Sequence, residues 1–254
     1  MNPLIREVDQ RTREVDQHTR TFFEQVDSAM SWVPAPLEHL VDPIVRNMAL
    51  LHKRLRDFWD RVEQLNGQRG DSDRLKQVGE QWVSRVGDVL GDIAGTIGAD
   101  RLRTTIEWEG RAARAYQSTV PPQAAGLNAV KDIAGQMRSS LTSLANSIDM
   151  FWIAMGIALT TFVVGILAAV GAAVTIVGIP AAIAALIGAA GVTIGLISAT
   201  IVAMESHVNT IEVEQAAIRQ KVRDLGSTWA MPNTGDLTDA STADGDGSDW
   251  RPSP

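Results

Sequence analysis

The stretch that decides the fold is Met150–Met204, MFWIAMGIALTTFVVGILAAVGAAVTIVGIPAAIAALIGAAGVTIGLISATIVAM, 55 residues without one charged side chain between Asp149 and Glu205. Gly178-Ile179-Pro180 interrupts it once and leaves two apolar segments, Met150–Val177 and Ala181–Met204. At ~1.5 Å per residue, helices of these lengths run roughly 42 and 36 Å. A bilayer's hydrocarbon slab is ~30 Å thick and needs ~20 apolar residues to cross. Each segment is therefore long enough to span, and the pair predicts a helical hairpin with both ends on one side. Gly178 and Pro180 are the residues expected to make its turn.

Working outward, the polar flanks carry heptad spacing. Leu37, Val41, Ile44, Met48, Leu51, Leu55, Phe58, Val62 and Leu65 alternate by four and three, with Pro34 and Pro36 before them and Asn66-Gly67 after. Upstream, REVDQRT (6–12) and REVDQHT (13–19) form a near-duplicated heptad whose seam is Ile5, Val8, Val15, Phe22 and Val26, weakened by Thr12 and Thr19. A third helix is expected from Asp71–Asp73, with Leu75, Val78, Trp82, Val86, Val89, Ile93 and Ile97 on one face and Gly87, Gly91 and Gly95 as a smooth strip. After a break at Val120-Pro121-Pro122, Leu127, Val130, Ala134, Met137, Leu141, Leu144 and Ile148 run into Phe151. Beyond the apolar block, Val208, Ile211, Ile218, Val222 and Leu225 keep the spacing.

The expected fold is all-α: an elongated helical bundle of coiled-coil hairpins, with a two-helix apolar hairpin of transmembrane type. The expected segments are heptad helices over 1–68, a helix-turn-helix over 69–149, the apolar hairpin over 150–204, a returning amphipathic helix over 205–226, and a tail over 227–254. That tail is rich in Gly, Ser, Thr, Asp and Pro and holds five aspartates against Arg251, a composition that predicts disorder. It contributes most of the formal net charge of −7. The remainder is nearly balanced, so no nucleic-acid partner is expected.

At Trp108-Glu109-Gly110 the chain resembles the WXG family of type VII secretion substrates, over about residues 70–150. The glycine-marked helix before this tripeptide and Arg111-Ala112-Ala113-Arg114-Ala115-Tyr116 after it carry the resemblance. It implies a helix-turn-helix in which Trp108 lies across the junction and Gly110 permits a tight bend. Family export signals place an acidic residue four positions after a tyrosine. Here the only tyrosine, Tyr116, is followed at that distance by Val120. Either a partner chain supplies the missing half or the protein is retained.

Catalytic chemistry is not indicated. The histidines, His18, His39, His52 and His207, are scattered without ligand spacing, cysteine is absent, and no phosphate loop, nucleophile elbow or zinc-protease motif occurs. No enzyme activity, cofactor, metal or small-molecule substrate is expected. In the apolar block, Thr160, Thr161, Thr175, Thr193, Ser198 and Thr200 are expected to bond to their own helix backbone. Gly191 and Gly195 have the spacing that lets helices approach closely in lipid, and Trp152 suits a headgroup boundary.

These readings converge on a non-enzymatic, membrane-inserting helical protein related to type VII secretion substrates, an effector or a pore or anchor component. By architecture it is similar to α-helical pore-forming cytolysins. The expected partners are membrane lipid and either a homo-oligomer or a helical partner protein. The expected location is membrane-associated, at the cell membrane or secreted by a route without a signal peptide, since MNPLIREVDQ lacks an apolar signal core. The alternative is a resident two-span membrane protein with a cytoplasmic helical domain. A scaffold that never meets lipid would need more covering helices than the flanks supply.

Overall fold

Amphipathic helices fix the architecture of a computed structural model that describes residues 2–66, 69–98, 101, 108–109, 111–226 and 251–252. Helix α1, Pro3–Met30, starts where Asn2 accepts the Leu4 amide at 2.9 Å and Pro3 occupies the first position, an arrangement that satisfies one free amide and removes another. Its buried face is Ile5, Val8, Val15, Thr19, Phe22 and Val26. The two seam threonines differ: Thr12 bonds back to the Val8 carbonyl, whereas buried Thr19 Oγ1 has no partner among the described residues. On the outer face Arg11, and then Gln10, hydrogen-bond Glu14 and hold its carboxyl below the usual carboxylate range.

A 3₁₀ segment, Ala35–Leu40, leads into α2, Val41–Asn66. The heptad pattern from Leu37 predicts one uninterrupted helix, but the first turn is wound tighter, and Ile44, Leu51, Leu55, Phe58 and Val62 supply the buried face. Phe23 of α1 stacks on His52 of α2 with centroids 4.6 Å apart.

A continuous helical stretch follows, divided by a π-helical segment: α3, Ser72–Trp82, then Val83–Gly87, then α4, Asp88–Thr96. Here the expected packing face is overturned. Ser72, Gly79, Gly87 and Ala94 are buried, while Trp82, Val89 and Ile93 are exposed. The buried positions are spaced seven, eight and seven. A π-turn adds one residue to a helical turn, and this one lies where the spacing is eight. It returns Gly87 and Ala94 to the face begun by Ser72 and Gly79. A small face permits close approach, and methyl groups at Gly79 and Gly87 would lie 3.3 Å from Arg138 Cα and 3.2 Å from Ala134 Cβ.

Helix α5, Arg111–Ala172, is 62 residues long and contains Pro121 and Pro122, so the break expected at Val120-Pro121-Pro122 does not occur. Proline removes a backbone bond and crowds the preceding turn. Both prolines are exposed on the outer side, and a seam of one residue in seven holds the helix through them. Its members are Ala113, Val120, Leu127, Ala134, Leu141, Ile148, Met155, Phe162 and Ala169, all buried or half-buried. Helix α6, Ile179–Asp224, returns and ends near Gly226, whose φ of 73° is the left-handed value glycine adopts freely after a helix.

Among the described residues the fold is all-α apart from a two-residue antiparallel pairing of Trp108–Glu109 with Arg251–Pro252. The expected tail over 227–254 otherwise lies outside the described residues. Two compact units emerge. The first joins residues 1–73 with 144–209, so α1, α2 and the apolar legs of α5 and α6 share a core. The second joins 74–143 with 210–254, and there α3 and α4 lie along the amphipathic part of α5.

In the first unit Phe58 of α2 meets Phe162 of α5 at 4.9 Å between centroids, both fully buried. Truncating Phe162→Ala should cost about 3–5 kcal/mol, read as a lower urea midpoint in circular dichroism. An equal loss is expected for Phe58→Ala, and the double variant should lose less than the two together because the rings are partners.

Candidate functional site

The uncharged hairpin is the one region whose composition the rest of a water-exposed fold does not explain. Its first leg is the C-terminal part of α5, from 150 to Ala172, and its second is α6 from Ile179 to 204. The turn falls at the expected Gly178 and Pro180. Gly178 N donates to the Thr175 carbonyl at 3.0 Å, and a methyl group on Gly178 would collide with the Ala172 carbonyl oxygen. Pro180, the second residue of α6, sits where the missing N–H costs nothing.

The legs approach closely at Gly165, where a methyl group would lie 2.8 Å from Ala189 Cβ. In the second unit Ser140 Oγ donates to Glu214 across the same two helices. In both pairs the residue numbers add to 354, so α5 and α6 hold one antiparallel register. Gly165 was not singled out by sequence, because its signal is a lone glycine in a run already full of small residues.

Each leg has a covered and an uncovered side. The covered side of α5 is Trp152, Met155, Leu159, Phe162 and Ile166, and that of α6 is Ile179, Ile183, Leu186, Ala190 and Ile197. Helices α1 and α2 help to cover α5: Val8 Cγ2 lies 3.9 Å from a methyl position on Gly156, and Phe58 lies on Phe162. On the other side Ile157 is 61 % exposed, Val164 61 %, Val192 59 % and Val202 64 %. Both helices are long and apolar enough to cross a membrane, yet only 39 % and 33 % of their most apolar windows is buried. A core helix of a soluble protein would be mostly covered.

Three of the six hydroxyls expected to bond to their own helix do so, and Thr175 Oγ1 accepts from Gly178 N in the turn. Thr161, Thr193 and Thr200 donate to the carbonyls of Ile157, Ala189 and Leu196, each four residues back, at 2.8–2.9 Å. They form no polar conduit. Gly191 and Gly195 face open space, with nothing within 4 Å of a methyl group built on either. They make no close approach within this chain.

At the charged edge of the block a buried polar cluster joins three distant segments. Asn2 Nδ2 donates to Ser72 Oγ at 2.7 Å and to Asp149 Oδ1 at 2.9 Å, and Ser72 Oγ donates to the same carboxylate oxygen at 2.5 Å. Asn2 and Ser72 are both buried. The structure ties the hydroxyl of Ser72, the first residue of α3, to Asn2 and Asp149. Nearby, Arg69 grips Asp9 of α1 with two hydrogen bonds of 2.7 and 2.9 Å. Trp152, expected at a headgroup boundary, is buried beside Phe151 and lines an apolar cavity of about 380 Å³ with Leu65, Ile148, Ile201 and Met204.

Of the residues that carry the WXG resemblance, Trp108 lies between α4 and α5 and pairs its backbone with Pro252. Tyr116 is on α5 and largely exposed, and Gly110 lies outside the described residues. Among the described residues no group of three His, Cys, Asp or Glu is placed to hold a metal. Compared with protein-family models, curated protein sequences and solved structures, the chain has no match in any of the three.

Replacing Asp149→Ala removes the acceptor of the buried Ser72 hydroxyl, while Asn2 keeps its bond to Ser72, and a buried group left unpaired costs about 1–3 kcal/mol. The expected result is a loss in that range in urea unfolding and faster amide exchange in the first turns of α1 and α3. Asp149→Asn, which keeps an acceptor, should recover part of it.

Proposed function

We propose that this chain is a non-enzymatic, membrane-inserting helical protein, related to the WXG-type substrates of type VII secretion, whose α5–α6 hairpin is the inserting element. The observation that carries the reading is the one-sided cover of two uncharged helices. Ten large apolar side chains at about half exposure present roughly 1,000 Å², where a monomer normally leaves bare patches of a few hundred. At ~25 cal/mol per Å², covering that area is worth on the order of 25 kcal/mol. Lipid can supply the cover for both legs at once.

Insertion requires α1 and α2 to leave. Their outer faces carry Arg6, Glu7, Arg13 and Arg20, and Arg54, Arg56, Asp60 and Arg61, all exposed. A charge at the bilayer centre costs roughly 2.5–3.5 kcal/mol even on insertion scales, so these helices stay at the water side while the legs enter. The Asn2–Ser72–Asp149 cluster and the Arg69–Asp9 pair are the contacts that must break. The family relation is supported by helices on either side of Trp108-Glu109, and the absence of an acidic residue at Val120 leaves room for a partner that completes an export signal.

The absence of native cysteine makes a direct test possible. Val8→Cys with Gly156→Cys is designed to join α1 to the first leg where Val8 Cγ2 lies 3.9 Å from a methyl position on Gly156. The oxidised variant should fail to become carbonate-resistant on anionic vesicles, and reduction should restore wild-type insertion. Equal insertion in both redox states would refute release of α1. In expressing cells, exclusive recovery in the carbonate-resistant pellet, with none in the medium, would favour the resident two-span protein over an exported one.

A further inference from the structure

We infer that the cavity beside Trp152 is a binding site for a small uncharged amphiphile, an aliphatic body with a hydroxyl head. The cavity lies wholly within the first unit, where the end of α2 meets the charged edge of both legs. Leu65 lines it from α2, Phe151 and Trp152 from α5, and Met204 from α6. Glu205 and Asn209 complete the lining from α6. Both are exposed whereas Trp152 is buried, so the carboxylate and the amide mark the side open to water. The site is thus walled by three helices and is distinct from the bare outer faces of the legs.

Size and wall chemistry define the body of the ligand. The cavity measures about 380 Å³, within the ~300–1,000 Å³ of small-molecule sites. A cavity of ~150 Å³ lined by Leu, Ile and Phe excludes water and admits benzene, so this one has room for roughly 15 non-hydrogen atoms. An aliphatic chain of about ten carbons fits that space.

The polar groups define the head. Trp152 is only 3 % exposed, and among the described residues nothing accepts from its indole N–H. A buried tryptophan usually finds a partner for that donor. Its nitrogen is not sealed as Thr19 Oγ1 is, which leaves the cavity as the place where the donor is met. In the register of the legs Trp152 stands level with position 202. Glu205 is three residues closer to the water, ~4.5 Å of helix rise, a separation that the long indole side chain spans. Among the described lining residues only Glu205 is charged, and it repels a carboxylate or phosphate head. An ammonium head suits Glu205 but cannot accept from the indole. A hydroxyl accepts from Trp152 and donates to Glu205 or Asn209.

Because the walls belong to α2 as well as to both legs, a bound amphiphile stabilises the covered arrangement by mass action. Binding is read in water without vesicles, so its failure and a failure of membrane insertion are separately visible.

The probes are 1-decanol, decanoate and decylamine, each below its aggregation threshold, with the full-length chain. Calorimetry should show one decanol per chain, held at least fivefold more tightly than either charged probe. Equal or tighter binding of decanoate or decylamine would overturn the assigned head and the proposal with it. Decanol bearing a photoreactive diazirine on its chain should label peptides that contain Leu65, Trp152 and Met204. Labelling spread instead along Ile157, Val164 and Val192 would show adsorption to the bare legs and overturn the site. Met204→Trp fills the cavity and should abolish one-to-one binding at unchanged helicity. Trp152→Phe keeps a ring and loses only the donor, so it guards against a filled variant that misfolds. It should weaken decanol about five- to tenfold and leave decylamine unchanged. Undiminished decanol affinity in either folded variant would also overturn the proposal.

Discussion

Water cannot be kept from both sides of an uncharged helical hairpin by two amphipathic helices, and this shortage of cover governs the first unit. Helices α1 and α2 each have one apolar seam, and the legs of α5 and α6 are apolar on every side. The seams of Val8, Val15 and Phe22 and of Leu51, Phe58 and Val62 are buried in the same unit as Phe162, Ile166 and Ile183. Among the described residues, nothing covers the outward surfaces. The proposed inserting role rests on that arithmetic of faces.

The second unit answers a different constraint. Its helices carry charges throughout, so they cannot rely on apolar area and instead use closeness. Gly79, Gly87 and Ala94 bring the backbone of α3 and α4 against α5, and the π-segment at Val83–Gly87 keeps those small residues in line. The large residues nearby, Trp82, Val89 and Ile93, remain largely exposed. A helix pair that meets through its small side chains has its bulky ones left for other contacts.

Much of the architecture was legible because period and composition change abruptly where the structure does. The charge-free run marks the legs, Gly178 and Pro180 mark the turn, and the heptads of α1 and α2 name most of their buried residues. Two readings failed for physical reasons. Pro121 and Pro122 suggest a helix end, but local breakers yield to a seam that continues on both sides, with Val120 and Ala134 two heptads apart. Large residues on α3 and α4 suggest the packing face, but hydrophobicity ranks Trp82 above Gly79 while close packing ranks them in reverse. The Asn2–Ser72–Asp149 cluster was not legible at all, since residues 70 and 77 positions apart in the chain share no pattern. Nor does sequence reveal which side of a uniformly apolar helix will be covered.

The shared register of α5 and α6 has one more consequence. Asp149 and Glu205, the charges that bracket the silent run, also add to 354 and so stand at equal height on the two legs. The greasy zone thus ends in a level waterline, as a flat slab would demand. From there to the turn lie about 25 residues, or roughly 38 Å of helix, a depth that clears a bilayer's oily interior with a turn or two to spare.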